Sequence, residues 1–175
     1  MKVLIGLAAL VITVSPAFAQ QPGMIKKAIA SATASFERAA GHLGSQSFGV
    51  DISAYRDALV RKSFAAMDHR QQSVVLVIAP GGQAECARFA AFVRPEPQNN
   101  RVNFYFCPQF FEPGADRLRE LTVLHEMVHV VAGPDECRAM AFAAEIEIRA
   151  TGAFTPVDRY WRANGCQQSA FALPG

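Results

Sequence analysis

A chain of 175 residues, 51% hydrophobic and 18% charged, is long and apolar enough to bury the core of a single domain. Its formal net charge of +2 is spread along the chain without a basic block, which argues against nucleic acid or an anionic membrane as partners. No internal repeat, low-complexity tract or Gly/Ser linker divides it.

Residues 1–19 have the pattern of a secretory signal peptide. Lys2 supplies a short basic start, residues 3–14 are almost unbroken in apolarity, and Ala17-Phe18-Ala19 is a small-x-small cleavage signal. The apolar run is too short for a stable membrane span. Cleavage after Ala19 would leave residues 20–175 as one domain in the periplasm or outside the cell, with no membrane attachment. All four cysteines, Cys86, Cys107, Cys137 and Cys166, lie in that part. An even number in an exported chain predicts two disulfides. Of the three connectivities, Cys86–Cys107 with Cys137–Cys166 is preferred because it closes two short, separate loops. The absence of a C-x-x-C pair makes cysteine ligation of a metal the weaker reading.

Helical spacing of Ile25, Ala28, Ile29, Ala32 and Phe36 predicts a helix over 24–40, stopped by Gly41. A second helix is expected over 51–67 through Tyr55, Leu59 and Phe64, with Asp51 as N-cap. His42 and His69 fall at the ends of these helices and read as surface or cap residues, not ligands. The period then changes. The β-branched run 73–79 ends at Pro80-Gly81-Gly82 and predicts a buried strand. A second strand is expected over 86–93, closed by Arg94-Pro95-Glu96-Pro97, and a third over 102–107. Asp116 suits the N-cap of a third helix that ends at Gly133. Pro134 suits the first turn of a fourth, through Ala139, Phe142, Ala143 and Ile146 to Thr151-Gly152. A short segment over 157–161 leads to Cys166.

The third helix carries His125-Glu126-Met127-Val128-His129, an H-E-x-x-H pattern in an apolar stripe of Leu121, Leu124, Val128 and Val131. Histidines four apart on a helix share a face and can hold one metal ion. Glu126 then lies beside the metal and can take a proton from a water on it. Burying unpaired polar groups costs on the order of 1–3 kcal/mol each, so two histidines and a glutamate in an apolar helix call for a reason, which a metal supplies.

The chain over 104–136 resembles the aspzincin group of zincin metallopeptidases, the deuterolysin and lysine-specific metalloendopeptidase families. Phe106-Cys107-Pro108-Gln109-Phe110-Phe111 resembles their F/L-C-P-x-F-F/W strand and turn. Thr122-Val123-Leu124-His125-Glu126-Met127-Val128-His129 resembles their T-L-x-H-E-x-x-H helix, and Gly133-Pro134-Asp135-Glu136 their G-T-x-D turn. The resemblance implies a zincin-like α+β fold: N-terminal helices, a small mixed sheet with an edge strand, the motif helix and a following helix. It puts the third ligand at Glu136, as does a second likeness, of the helix after Glu136 to the E-x-x-A-x-x-F-A helix of small gluzincins. Metzincin-like spacing points instead to Asp135. Ala139 stands where the aspzincins carry a tyrosine.

The expected activity is that of an exported zinc metalloendopeptidase. Zn would be held by His125, His129 and Glu136, or Asp135 in its place, with Glu126 as general base on metal-activated water. Tyr105, Tyr160 and Arg138 are the candidate oxyanion donors. The strand over 102–106 would be the sheet edge on which a peptide or protein substrate pairs. The alternative is an exported zincin-fold binding or structural domain with little turnover, which the alanine at position 139 and the lack of an obvious propeptide fit.

Overall fold

The computed structural model describes residues 16–66 and 68–175. The expected leader lies outside the described residues except for residues 16–19. Five α-helices stand beside a small mixed sheet among the described residues, in keeping with the α+β expectation. The first helix, α1 (Pro16–Ala40), starts earlier than its apolar spacing suggested and contains Pro22. Its stripe of Ile25, Ala28, Ala32, Phe36 and Ala39 is buried. That face packs on α3 (Asp116–Ala132) and α4 (Glu136–Thr151), which also pack on each other.

A two-stranded ribbon of β1 (Gln46–Ser47) and β2 (Val50–Asp51) follows α1. The helix expected over 51–67 stops at Arg61. Asp51 caps as expected, accepting the Ala54 N–H at 2.8 Å, but α2 (Ile52–Arg56) widens into a π-turn over Asp57–Arg61. Lys62 then takes a left-handed conformation (φ 56°) and the chain enters β3 (Ser63–Ala65). β3 pairs antiparallel with β4 (Gln71–Ile78), which keeps Phe64 in the core from a strand instead of from a helix. Tyr55 and Leu59 stay buried as the spacing required. The Tyr55 ring packs 5.0 Å from Phe36 and 4.8 Å from Phe142, and its hydroxyl donates to the Leu124 carbonyl at 2.8 Å. One side chain thus joins α2 to the three long helices. Burial raises the Tyr55 pKa well above its usual value, so the hydroxyl stays a donor.

The sheet has the order β3-β4-β6-β5. β6 (Arg101–Phe106) runs parallel to β4 and antiparallel to β5 (Ala91–Glu96). Two expectations change here. The second strand does not start at Cys86, because residues 84–87 form a 3-10 turn tied by the Cys86–Cys107 disulfide to the end of β6. It continues instead through Arg94-Pro95-Glu96. The third strand is interior, not an edge, since β4 and β5 cover both its sides; the edges are β3 and β5.

Pro95 explains how a proline fits in that edge. The Cys107 N–H donates to the Ala90 carbonyl, so in the continuous antiparallel register Phe92, Arg94 and Glu96 bond to β6. Ala91, Val93 and Pro95 aim their backbone groups outward, and at that position proline removes no ladder bond. On the inner face Phe104 and Phe106 stack at 4.4 Å, with Phe110 edge-on to Phe106 at 4.7 Å. They form the floor under α3 with Leu124, Met127 and Val128, all at most 1% exposed.

Asp116 is the first residue of α3 and not its cap. Its carboxylate pairs with Lys27 at 2.7 Å and with the buried Arg119 at 2.5 Å. The other guanidinium nitrogen of Arg119 donates to the carbonyls of Phe110 and Glu112, which locks the incoming loop to the helix. Gly133 ends α3 as expected. Pro134 stays ahead of α4, whose cap is Asp135.

Candidate metal centre

Three side chains meet where α3 hands over to α4. Nε2 of His125 lies 3.0 Å from Nε2 of His129 and 3.1 Å from Oε2 of Glu136. Nε2 of His129 lies 3.7 Å from Oε1 of Glu136. Ligand atoms about 2.1 Å from a tetrahedral ion stand about 3.4 Å from one another, so this triangle has the size to close on one small cation. These residues form a group that could hold a metal ion. Two imidazoles and a carboxylate suit a borderline cation such as Zn and leave a fourth position open.

The turn between the helices orients the candidate ligands. His129 Nδ1 donates to the Gly133 carbonyl at 2.9 Å, so its proton sits there and Nε2 turns a lone pair to the centre. Gly133 reaches back through φ 85° and ψ −171°, a conformation only glycine adopts without strain. Asp135 accepts the Arg138 N–H at 3.0 Å and caps α4. Its carboxylate is spent on the helix end, and the carboxylate facing the histidines is that of Glu136.

Burial and mutual charge set the protonation of the group. Burial alone would lift Glu136, but hydrogen bonds and charge from His125 and His129 outweigh it and hold the carboxyl well below its usual range. Burial lowers the His125 pKa. At His129 burial is overcome by the Glu136 hydrogen bond, the Glu126 charge and the Gly133 carbonyl, and the pKa rises. Glu126, 9% exposed, is pushed by burial up to about 8, with His129 opposing and Glu136 adding. In the metal-free chain this burial favours the protonated carboxyl through neutral pH.

Tyr160 arrives from α5 (Asp158–Ala163). α4 holds this short helix on both sides. Before it, Glu147 accepts the Thr155 N–H at 2.6 Å and the Thr155 hydroxyl at 2.9 Å. After it, the Cys137–Cys166 disulfide ties the chain to the first turn of α4. Both expected disulfides are present. The Tyr160 hydroxyl donates to Glu136 Oε2 at 3.1 Å, and its ring lies 6.2 Å from that of His125. Burial and the Glu136 charge raise its pKa, so it remains protonated.

Two adjoining cavities open beside Glu126 and Tyr160. One, about 490 Å³, passes His125 and is walled by Phe89, Leu118, Leu121, Met140 and Val157. The other, about 390 Å³, passes His129 and Glu136 and runs along Ala91, Val93 and Pro95 of the β5 edge. Glu126, Tyr160, Phe89 and Ala91 border both.

Of the three oxyanion candidates only Tyr160 is in this groove. Tyr105 stacks on Phe92 at 4.8 Å on the outer face of the sheet. The Arg138 guanidinium donates to the Ala132 carbonyl at 2.7 Å and lies over Phe171. Ala139 is fully buried, and His42 and His69 are exposed as expected, His69 between β3 and β4 instead of at a helix end. Sequence reasoning missed the Gly133 carbonyl, the Glu147 clamp and the Phe89–Leu118 wall; only the glycine, next to a ligand histidine at a helix end, left a local signal. No family model, curated protein or solved structure matches this chain.

Proposed function

We propose that this chain is an exported zinc metallopeptidase that cleaves a peptide bond held between the two cavities. The observation that carries the reading is the convergence of His125, His129 and Glu136 within a ligand triangle, with Glu126 on the same groove. The two disulfides fit an oxidising compartment, and no described helix is long and apolar enough to cross a membrane. Pro22 fits the leader reading: after cleavage at Ala19 it would fall in the first turn of α1, where a missing N–H costs little.

Zinc held by His125, His129 and Glu136 would supply Lewis acidity at the attacked carbonyl and would acidify the attacking water. The chain does the rest. Glu126 takes the proton of the attacking water on its carboxylate and hands it to the leaving amine. Tyr160 is the donor for the oxyanion. The outward N–H and C=O groups of Ala91 and Val93 pair with an extended substrate, and Pro95 ends that pairing. An antiparallel substrate runs from the His129 cavity into the His125 cavity, so its residues after the scissile bond enter the latter.

Glu126→Gln tests the reading. The amide is nearly isosteric and cannot accept the proton. Zinc content and fold should be unchanged, while hydrolysis of a mixed peptide library should fall about 10²–10⁴-fold. A zinc-loaded wild type that cleaves nothing in the library would leave an exported binding domain as the function.

A further inference from the structure

The cavity past His125 differs in charge from its neighbour. It carries Arg88 and Arg159 with its apolar wall, whereas no lysine or arginine lines the other cavity. Neither arginine takes part in an ion pair among the described residues. The Arg88 guanidinium lies 5.2 Å from the ring of Phe89, which itself borders both cavities. Arg159 precedes Tyr160 on α5 and is exposed. Leu118, 50% exposed, leaves a large apolar side chain open to the same space beside Leu121, Met140 and Val157. An apolar wall with two free guanidinium groups matches an apolar side chain followed closely by a carboxylate.

We infer that this cavity selects peptides with a large apolar residue after the scissile bond and a carboxylate one residue beyond it. The carboxylate comes from a free C-terminus or from an Asp or Glu side chain. The inference rests on the peptidase reading for the position of the scissile bond. The apolar side chain is drawn in by desolvation, and the arginines hold the carboxylate by charge-assisted hydrogen bonds from the rim. Away from the metal group the neighbouring cavity has no lysine or arginine to answer such a carboxylate, so the arginines also set the direction of the chain in the groove.

The test is a binding measurement on zinc-loaded Glu126→Gln protein, so that nothing is cleaved. Three fluorescent peptides are compared by anisotropy: Ala-Ala-Ala-Phe-Ala as the free acid, the same peptide as its amide, and Ala-Ala-Ala-Phe-Glu-Ala amide. The acid, the glutamate peptide or both should bind about tenfold more tightly than the plain amide, with the gap shrinking at high salt. Arg88→Ala/Arg159→Ala in the same background should abolish the difference, and both positions are exposed, so folding is spared. Which peptide gains identifies the source of the carboxylate. Equal binding of all three, binding of none, or a difference that survives the double variant overturns the inference. Wild-type cleavage of the same peptides is read separately. Selective binding without cleavage sinks the peptidase reading and leaves the carboxylate preference standing; cleavage with equal binding does the reverse.

Discussion

The three candidate ligands come from residues 125–136, on two helices joined by one turn, while the groove over them is gathered from residues 88–95, 118–122 and 156–163. The first part is held by local geometry: helix period, a glycine carbonyl on His129 and an aspartate cap. The second is held by long-range ties: the register of β5 on β6, two disulfides, and the Glu147–Thr155 clamp. A centre built locally should survive damage to the groove. A groove built from distant segments should lose function in steps while the centre still binds metal.

The largest effects should come from the local part. His129→Ala or Glu136→Gln should lower zinc affinity by more than the 10–100-fold that outer partners contribute, as read by metal titration against a chelating dye. Asp135→Ala should leave zinc affinity within about twofold. If Asp135→Ala empties the site and Glu136→Gln does not, the assignment of ligand and cap is reversed.

Tyr160→Phe probes the junction of the two parts. The ring and its packing remain and only the donor is lost. If Tyr160 binds the oxyanion, kcat should fall about 10²-fold with zinc content unchanged. An unchanged kcat would reduce Tyr160 to a partner of Glu136.

The buried Glu126 gives a pH signature in the metal-free protein. Below the usual 4.5 the carboxyl is protonated in both folded and unfolded chains, and its burial carries no charge penalty. Between there and about 8 the unfolded chain releases the proton and the folded chain keeps it, so stability falls as pH rises. With a chelator present, Glu126→Gln should match wild type near pH ~4 and exceed it near pH ~9 by on the order of 2 kcal/mol or more. Urea denaturation at a series of pH values reads this directly. A difference that does not vary with pH would mean the carboxylate is hydrated without metal.

The smallest effects belong to the scaffold. Tyr55→Phe removes one buried hydrogen bond to the Leu124 carbonyl and should cost about 1 kcal/mol of stability. Asp135→Ala should cost a similar amount through the lost cap. Thermal unfolding of the zinc-free protein measures both.

Legibility followed the same division. His125, Glu126 and His129 were readable because residues four apart on a helix share a face whatever surrounds them. Glu136 and Asp135 stayed open in the sequence, since either could reach a metal from the first turn of α4. The fold separates them by turning Asp135 back to the Arg138 N–H. The helix expected over 51–67 failed at Lys62, because Phe64 satisfies helical spacing and also a short strand with an inward phenylalanine. The strand over 102–106 was recognised, but its rank as an edge was not, because strand order depends on partners distant in sequence.

By itself the sequence determined the α+β character, the apolar stripes of the long helices, the even cysteine count and the paired histidines. Each follows from period or composition within one segment. Only the tertiary structure decided that β5 is the edge beside the site, that Pro95 lies on its outward register, and that Tyr160 alone of three candidates reaches the centre. The physical reason is common to all three. A strand's neighbours and a short helix's position are set by hydrogen bonds and disulfides between segments far apart in the chain, and no local spacing encodes them.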